Sequence, residues 1–405
     1  MKLLLIAPSW TKLPEQTPFL LPSLGPIQVA SCAPPGVSVS VVNENVSPVD
    51  FDRACDLVGI SVLLTCQAPR AYALADEFRR RGKTVVLGGF HVSLCPEEAA
   101  AHADAVVVGE AEGQLPRLLS DFAAGRLQPV YRRDGWADPG AIPAPRRDLY
   151  DKKLHYTYKG WELADLLESS RGCRSRCFPC GVPGVCGSEH RIRPLDAVLA
   201  DVRGCSDLVF LVDNSLEQNI AYERELLRAL RGEKRRWISH PLTPDPEILS
   251  LAREAGWLYV YHEIHGVSDT IRERVRRYHD HGIAVEGAVF IGLDDHDESA
   301  IRRLVDFTLE IGLDLVEYTI LTPFPGSPVA RDLEAAGRIL HKDWSLYNAA
   351  NVVFRPRLLS PERLQELYFE AWRTFYAERS HAVRMSRLFL DVVHGPARRR
   401  PRRTG

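Results

Sequence analysis

The sequence of 405 residues predicts an α/β protein with a Rossmann-like, doubly wound domain, a partial (β/α)6 TIM-like barrel and a small C-terminal helical domain. Two observations predict this architecture. Short runs that are apolar on both faces alternate with helical patterns, as in buried parallel sheets covered by helices. The alternation stops over residues 126–160, where Pro and Gly break the pattern, and then resumes. We therefore expect two parallel sheets, each with its ligand site at the carboxyl ends of the strands.

The domain boundaries are expected where the sequence pattern changes. Pro and Gly interrupt the pattern of strands and helices after residue 125, and it resumes near residue 161. Beyond residue 340 only helical spacing remains. The predicted divisions are a Rossmann-like domain over 1–125, a linker over 126–160, a barrel over 161–340, a helical domain over 341–392 and a disordered basic tail over 393–405.

Composition argues against several classes of partner. A formal net charge of −2 argues against a nucleic-acid surface, and no apolar run reaches the roughly twenty residues that span a bilayer. The N-terminal run 1–8 stops at a proline and predicts a first strand instead of a signal peptide. The nine cysteines show no disulfide framework, so we expect a protein of the reducing cytoplasm.

The first domain places glycine and polar residues at the ends of its predicted strands. The strands are expected at 2–7, 37–42, 57–62, 84–87 and 105–108. The sequence has no GxGxxG after the first strand and no GxxxxGK[ST], which argues against a dinucleotide or a P-loop nucleotide. Ligands of such sheets bind at the carboxyl ends of the strands, where glycine admits close approach. The candidate binding residues are Ser61, Gly88, Gly89, His91, Gly109 and Glu110.

Three cysteines follow the predicted strand 163–167 at a CxxxCxxC spacing. Cys173, Cys177 and Cys180 stand within eight residues, and thiolates on one loop can hold an iron–sulfur cluster or zinc. A closed structural zinc site wants four ligands, whereas this loop offers three. Cys186 lies six residues further on and could supply a fourth ligand, and the cysteines could also carry no metal. The residues alone leave these alternatives open.

The cysteine segment resembles the radical S-adenosylmethionine (SAM) superfamily. Arg171-Gly172 before Cys173, together with the aromatic Phe178, is similar to the cobalamin-associated branch of that superfamily. The resemblance implies a [4Fe–4S] cluster held by the three cysteines, with one open iron that binds SAM. It also implies that an external donor such as a flavodoxin or ferredoxin supplies an electron that cleaves SAM to a 5′-deoxyadenosyl radical.

The first domain carries a second resemblance, to the cobalamin-binding domain that precedes the barrel in many radical SAM proteins. It rests on Gly-Gly-Phe-His at 88–91 and on the tract 103–110, which ends in Gly-Glu. The resemblance implies cobalamin at these strand ends. The motif Asp-x-His-x-x-Gly, which ligates cobalt through histidine, is absent from residues 1–125, as it generally is in this branch. The alternative is a Rossmann-like scaffold without cobalamin.

Six βα units predict the barrel. Strands are expected at 163–167, 208–212, 237–240, 258–263, 285–291 and 315–321, with helices at 195–202, 221–230, 245–255, 299–310 and 329–336. By the same resemblance, Asp213 and Glu263 at two strand ends are catalytic candidates. The residues that would contact SAM are Glu263, Gly292, Thr322 and Pro323. The segment 263–282 is shorter than is usual in this branch, so the SAM contacts and the substrate pocket are expected to differ there.

The C-terminal stretch 344–390 has helical spacing and an aromatic stripe, which is typical of core packing. Within it, Trp344, Tyr347 and Asn348 resemble a tract of the same family and would line a substrate cavity. The arginine-rich segment 398–403 is expected to be a solvated, disordered end.

Together these features predict a cobalamin-dependent radical SAM enzyme that methylates an unactivated carbon of a small molecule, such as a secondary metabolite, a lipid or a tetrapyrrole. The adenosyl radical would abstract hydrogen from that carbon, and methylcobalamin would donate the methyl group. The alternative is a radical rearrangement, cyclisation or oxidation without methyl transfer, with or without cobalamin. A non-catalytic metal- or cobalamin-binding protein is a third hypothesis.

Overall fold

The computed structural model describes residues 1–13, 21–158, 161–175, 177, 180–377 and 388. The contacts between residues divide the chain into two compact units. The first consists of Met1–Thr157, Ser170–Gly204 and Thr322–Arg355, and the second of Tyr158–Ser169, Cys205–Leu321 and Pro356–Gly405. Each unit is therefore assembled from several stretches of the chain. The domain boundaries drawn from the sequence pattern stay a prediction.

The first unit contains a six-stranded parallel sheet with the order β2-β1-β3-β4-β5-β6. Its strands are β1 Lys2–Ala7, β2 Ser38–Asn43, β3 Leu57–Ser61, β4 Thr84–Gly88, β5 Ala105–Val108 and β6 Val130–Arg132. The five predicted strands are confirmed, each to within one residue at either end. The sequence did not predict β6, because its three residues lie in the stretch that Pro and Gly interrupt.

Helices cover both faces of this sheet, as expected of a doubly wound domain. They are α1 Leu24–Ser31, α2 Ala68–Arg80, α3 Phe90–Leu94, α4 Pro96–Ala100 and α5 Gln114–Ala123. Successive residues of a strand point to opposite faces, so Leu4 shares one core with Phe78 of α2, and Leu5 shares the other with Leu118 of α5. All four side chains are at most 5% exposed, and burial of apolar surface on both faces stabilises the layers.

Short elements follow the first sheet along the chain. They are α6 Lys152–His155, β7 Thr157–Tyr158, β8 Trp161–Glu162, β9 Asp165–Leu167, β10 Ser170–Arg171, α7 Val182–Cys186, β11 Arg191–Ile192 and α8 Leu195–Gly204. Within the first unit, β10 and β11 form an antiparallel hairpin, and α7 contacts α3. The three cysteines predicted to bind a metal lie between the two strands of this hairpin.

The second unit contains a six-stranded parallel sheet with the order β9-β12-β13-β14-β15-β16. After β9 its strands are β12 Leu208–Leu211, β13 Arg236–Ser239, β14 Trp257–Ile264, β15 Ala284–Ile291 and β16 Leu315–Ile320. Between them lie α9 Ile220–Leu230, α10 Pro246–Ala255, α11 Asp269–Asp280 and α12 Glu298–Glu310. The six predicted strands are confirmed to within two residues, and with β9 and β16 as edges the sheet is an open, partial barrel.

The C-terminal region is divided between the two units. In the first unit, α13 Pro328–Ala335 precedes a 3₁₀ turn at Trp344–Leu346, whereas α14 Pro361–Ala377 belongs to the second unit. α14 packs on α12 and β16, and its Tyr368 and Phe375 are at most 1% exposed, as predicted for a core stripe. The predicted tail 393–405 lies outside the described residues. In the part of the chain that is described, no helix is both long and apolar enough to span a bilayer.

Candidate functional site

The three predicted metal ligands lie on the loop between β10 and β11. Cys173 is 9% exposed, whereas Cys177 and Cys180 are exposed. The backbone N–H of Cys173 donates to the carbonyl of Gly187 at 3.0 Å, which joins the start of the loop to its end. The N–H of Cys180 donates to the carbonyl of Cys177 at 2.9 Å. Phe178, the aromatic residue of the motif, lies outside the described residues.

Gly172 explains how the ends of this loop can meet. Its φ of +83° lies in the left-handed region, which glycine adopts without strain. A Cβ atom at this position would stand 2.1 Å from the carbonyl oxygen of Glu189 and 3.0 Å from that of Cys186. The backbone of both loop ends is therefore in direct contact, and no larger residue fits there.

Three thiols on one short loop are the donor set that iron–sulfur clusters use. Among the residues that the structure describes, no three His, Cys, Asp or Glu side chains are gathered closely enough to hold a metal ion. The type of donor atom on the loop therefore fits a cluster. The positions of the sulfur atoms do not, because they are not gathered around one point. Ligation by Cys173, Cys177 and Cys180 stays a prediction, and Cys186 ends α7 beyond the motif.

Two arginines that flank the cysteine loop are bound by two glutamates that follow β5. Arg171 Nη2 lies 2.8 Å from Glu112 Oε1, and its Nη1 lies 3.3 Å from Glu110 Oε1. Arg191 approaches the same Glu110 with both Nη atoms, at 2.7 and 3.2 Å, which is the strong two-pronged geometry of arginine and carboxylate. All four side chains are only 10–12% exposed. We call these four residues the arginine clamp.

Arg191 also fixes the backbone around the clamp. Its guanidinium donates to the carbonyl oxygens of Ala137 and Cys186, each at 2.9 Å. The N–H of Ala137 in turn donates to Glu110 Oε2 at 2.6 Å. Burial opposes the ionisation of Glu110, but the hydrogen bonds from Arg191 and Ala137 and the charge of Arg171 hold its pKa below the usual value. Glu110, predicted as a cofactor contact, is thus engaged with the residues that flank the cysteine loop.

Glycines at the ends of β4 and β5 allow a close approach of backbone segments. Gly89 has a φ of +105°, and a Cβ there would stand 2.5 Å from the carbonyl oxygen of Val62. Ser93 links the two strand ends, because its hydroxyl donates to the Gly89 carbonyl at 2.8 Å and accepts from the Gly109 N–H at 2.9 Å. The other predicted residues of this edge, which pair in register, are Ser61 and Gly88.

Exposed apolar side chains follow two of these strand ends. Leu63 and Leu64, shortly after β3, are 49% and 40% exposed, and Phe90, shortly after β4, is 42% exposed. We call these three residues the apolar shelf. Large apolar side chains that are exposed at the ligand edge of a parallel sheet indicate a surface for a ligand with apolar parts.

His91 is buried beneath this edge instead of solvated. It is 1% exposed, and its Nε2 lies 3.1 Å from the Tyr72 hydroxyl and 3.6 Å from Glu98 Oε1. Trp344 packs edge-on against the imidazole with a centroid distance of 5.6 Å and donates its indole N–H to Glu98 at 2.9 Å. Burial lowers the pKa of His91, and the charge of Glu98 opposes that shift. His91 is thus part of a packed cluster, and its contact with a cofactor stays a prediction.

The segment that follows β16 belongs to the first unit. Thr322 and Pro323, which were predicted to contact SAM, are buried. Gly326, with a φ of +74°, packs so closely on α3 that a Cβ would stand 2.8 Å from Leu94 Cδ2. The hydroxyl of Ser327 caps α13. The first unit therefore contains this segment, the cysteine loop and the ligand edge of the first sheet.

In the second unit, Asp213 holds the chain just before the cysteines. It is 1% exposed, and its two carboxylate oxygens accept the N–H of Ser169 at 2.7 Å and the Ser169 hydroxyl at 2.6 Å. Tyr222 donates its hydroxyl to the carbonyl of Ser169 at 3.0 Å. Because both oxygens of Asp213 are engaged, this geometry favours a positioning role for Asp213 over proton transfer.

The two remaining predicted residues, Glu263 and Gly292, lie at the carboxyl ends of β14 and β15. Gly292 follows β15 with a φ of +86°. Glu263 is in register with Ala288 of β15, which is in register with Glu317 of β16. Residues in register point to the same face of a parallel sheet, and Ala288 is small, so little side-chain bulk separates the two carboxylates.

A cluster of titratable side chains, formed by Tyr261, Glu286 and Glu317, lies on β14, which also carries Glu263, and on the adjoining β15 and β16. Tyr261 is in register with Glu286, and its hydroxyl donates to Glu317. Burial first, and then the charge of Glu317, raises the pKa of Glu286 to about 8, while a hydrogen bond from Tyr259 opposes the shift. Glu286 lies on the predicted strand 285–291, but Glu317 and Tyr261 were not among the residues singled out from the sequence. Polar residues at every second position of β14 and β16 were the available signal.

Comparison with known proteins finds a match in the first part of the chain. Residues 22–119 match the family model of the B12 binding domain. The chain is also similar to bacteriochlorophyllide d C-12(1)-methyltransferase of Chlorobaculum tepidum, with 27% identity over 91% of this chain and 85% of that protein. This alignment extends beyond the B12-binding domain to nearly the whole chain.

Two solved structures have a similar fold. The radical SAM methyltransferase TsrM from Kitasatospora setae, solved with cobalamin and a [4Fe–4S] cluster bound, matches with a TM-score of 0.64 and 18% identity, over 92% of this chain and 85% of that chain. The cobalamin-dependent radical SAM enzyme OxsB, solved with aqua-cobalamin and SAM bound, matches with a TM-score of 0.67 and 14% identity, over 91% of this chain and 66% of that chain. At these identities the similarity shows the fold.

Proposed function

Because this chain joins a B12-binding domain to the fold of the cobalamin-dependent radical SAM methyltransferases, we propose that it is a methyltransferase of this kind. It would transfer a methyl group to an unactivated carbon of a small molecule. Its relative in Chlorobaculum tepidum acts, by its name, on a bacteriochlorophyllide. A tetrapyrrole is therefore the first substrate class to test.

One observation carries the proposal. The cysteine loop, the apolar shelf and the strand ends of the B12-binding domain belong to the same compact unit. A reaction that uses a metal cluster together with cobalamin needs both held in fixed positions, because misplaced reactants lose most of the rate advantage of binding. A single unit that offers thiol ligands and an apolar strand edge meets that need.

The residues that would hold the cofactors follow from the site. Cys173, Cys177 and Cys180 would bind a [4Fe–4S] cluster, and the apolar shelf would bind cobalamin. The residues that would contact SAM are Glu263, Gly292, Thr322 and Pro323. When bound, these cofactors supply a hydrogen-abstracting radical and a transferable methyl group. Asp213 would fix the start of the cysteine loop through Ser169, and a reduced flavodoxin or ferredoxin would supply electrons.

Anaerobic purification with cobalamin supplied tests the proposal. We expect about four irons and one cobalamin per chain. With a strong reductant and a tetrapyrrole substrate, SAM should yield both 5′-deoxyadenosine and S-adenosylhomocysteine, since methyl transfer consumes SAM in two ways. A full cluster without cobalamin would instead favour radical chemistry without methyl transfer.

Replacement of single cysteines tests the ligand set. Cys177→Ala should lose nearly all of the iron, because a cluster held by three thiolates loses one of its ligands. The matched control is Cys186→Ala, which should keep its iron, because Cys186 lies outside the CxxxCxxC motif. Metal analysis and the visible absorption spectrum measure the iron content of the two variants. Bound zinc without iron, or equal losses from the two variants, would contradict the proposal.

A further inference from the structure

We propose that Glu110 and Glu112 are positioning residues that hold both ends of the cysteine loop through the arginine clamp and thereby determine how tightly the loop retains its cluster. The inference rests on the proposed function, because it assumes an iron–sulfur cluster on that loop. Both glutamates follow β5 of the B12-binding domain, and neither belongs to the cysteine motif. The clamp thus joins the strand edge expected to bind cobalamin to the loop expected to bind the cluster.

The charges of the hairpin are the first argument. Arg171 and Arg191 stand directly opposite each other in the pairing of β10 with β11. Like charges in such a pair repel each other and destabilise the ladder. Each strand has only two residues, so backbone pairing alone is weak. Glu110 contacts both arginines and Glu112 contacts Arg171, so the two carboxylates balance the two guanidinium charges.

The four charged side chains of the arginine clamp are nearly buried, so each needs an opposite charge beside it. A guanidinium that is nearly buried beside a carboxylate loses its counter-charge when that carboxylate is neutralised, and an uncompensated buried charge is strongly destabilising. Without Glu110, Arg191 would lose both of its contacts with that carboxylate and turn toward water, whereas Arg171 would keep Glu112 at 2.8 Å.

The backbone of the loop depends on the position of Arg191. This side chain donates to the carbonyl of Cys186, and the neighbouring Gly187 carbonyl accepts the N–H of Cys173. Gly172 is packed against the same run of carbonyls. Release of Arg191 would therefore loosen the contact between the start and the end of the loop, and with it the position of the first cysteine.

Glu44 provides a matched control. It follows β2 in the same sheet, its side chain is 9% exposed, and it forms an ion pair with Arg70 of α2. It also accepts the N–H and the hydroxyl of Ser9, each at 2.9 Å. Glu44→Gln therefore removes a similarly buried carboxylate, but its partner Arg70 is 42% exposed and lies on α2, away from the cysteines in the sequence.

The test compares Glu110→Gln, Glu112→Gln and Glu44→Gln in the full chain, each reconstituted anaerobically with iron and sulfide. Iron and sulfide per chain, and the rate of iron release to a ferrous chelator, are measured. We expect Glu110→Gln to release iron about tenfold faster than the wild type, the scale typical of residues that orient metal ligands. Glu112→Gln should have a smaller effect, because Arg171 keeps Glu110, and Glu44→Gln should match the wild type.

Further variants separate positioning of the loop from general stability. The midpoint of thermal unfolding of the cluster-free chains should fall more in Glu110→Gln, which loses ion pairs with Arg171 and Arg191, than in Glu44→Gln, which loses one pair with a partly exposed arginine. Glu110→Asp keeps the carboxylate charge and should therefore release iron more slowly than Glu110→Gln. If Glu110→Gln does not fold, Arg171→Lys takes its place, because lysine keeps the charge but cannot reach two carboxylates with a planar fork.

Each result of this experiment either supports or overturns the inference. Wild-type iron release in Glu110→Gln and Arg171→Lys, or an equal acceleration in Glu44→Gln, would overturn the inference and leave the proposed function intact. A wild-type chain that binds no iron after reconstitution would overturn the proposed function and the inference with it. Faster release confined to the clamp variants, with partial recovery in Glu110→Asp, would support both.

Discussion

Gly172 is constrained twice, by its backbone angle and by the carbonyl that fills the place of a side chain. Gly172→Ala should lower stability by more than ~3 kcal/mol, because a Cβ would overlap the carbonyl of Glu189 and force the loop ends apart. Gly125→Ala is the control, since Gly125 has a φ of +67° but no atom lies within 4 Å of its Cβ position. The control should lose only ~1 kcal/mol. Thermal unfolding measures both, and equal effects would show that the contact with Glu189 is unimportant.

Glu286 should give the stability of the second unit an unusual pH dependence. Its pKa is raised from 4.5 to about 8, chiefly by burial and then by the charge of Glu317. The folded state therefore holds a proton that the unfolded state has lost, so this contribution is fully present below about 4.5 and is lost as the pH rises through about 8. The slope is at most about 1.4 kcal/mol per pH unit for one proton.

Glu286→Gln should reduce the loss of stability that accompanies rising pH, because an amide does not ionise. Urea unfolding at pH 6, 7, 8 and 9 compares the wild type with Glu286→Gln, and Glu225→Gln on the exposed side of α9 serves as the control. The wild type and the control should lose stability toward pH 9 more steeply than Glu286→Gln. Parallel curves for all three chains would contradict the raised pKa.

Candidate site residues could be singled out from the sequence only where the signal is local. The cysteine spacing and the strand-end glycines are visible in short stretches, so they were identified. Glu110 was also identified, but its partners Arg171 and Arg191 lie far along the chain, with Arg191 at a separation of 81 residues. No spacing rule connects residues so far apart, and the clamp became visible only in the structure. The packing of His91 against Trp344 was not foreseen for the same reason, because these two residues lie even farther apart along the chain.

At the scale of elements, apolar runs predicted almost all of the two sheets. Central strands of a parallel sheet are buried on both faces, so their sequences are apolar throughout and easy to recognise. β6 has one buried residue between two exposed ones, and this weak pattern lies in a stretch rich in Pro and Gly. β14 has alternating buried and partly buried residues, and it extends one residue beyond the prediction at each end.

The N-terminal caps of the helices in the second unit give an element-scale prediction. Asp245 caps α10, where its Oδ1 accepts the N–H groups of Glu247 at 3.0 Å and Ile248 at 3.3 Å. Asp245→Ala should therefore cost about 1 kcal/mol in urea unfolding. Ser268, at the same position of α11, makes no side-chain cap hydrogen bond, so Ser268→Ala should cost much less. A cost for Ser268→Ala as large as that for Asp245→Ala would contradict the capping argument.

At the scale of the whole molecule, stretches that are neighbours along the chain do not always belong to the same compact unit. A reading along the chain places the cysteine loop and the segment after β16 in the barrel, because each follows one of its strands. The contacts place both in the first unit, together with residues 22–119, which match the B12 binding domain. Sequence patterns locate elements but do not reveal which distant elements pack together, and packing here depends on the clamp and on Gly326 against α3.

The interleaved first unit has a consequence for biosynthesis. Its three stretches leave the ribosome at different times, and Thr322–Arg355 emerges only after the whole second sheet has been translated. Domains generally fold as units during synthesis, N-terminal ones first, but this unit is incomplete until its last stretch arrives. Iron and sulfide delivered to a nascent chain would meet cysteines whose supporting unit is unfinished. If the cysteines hold the proposed cluster, its insertion should therefore follow release of the finished chain, and expression that outruns folding would yield protein with its cysteines intact and its iron missing.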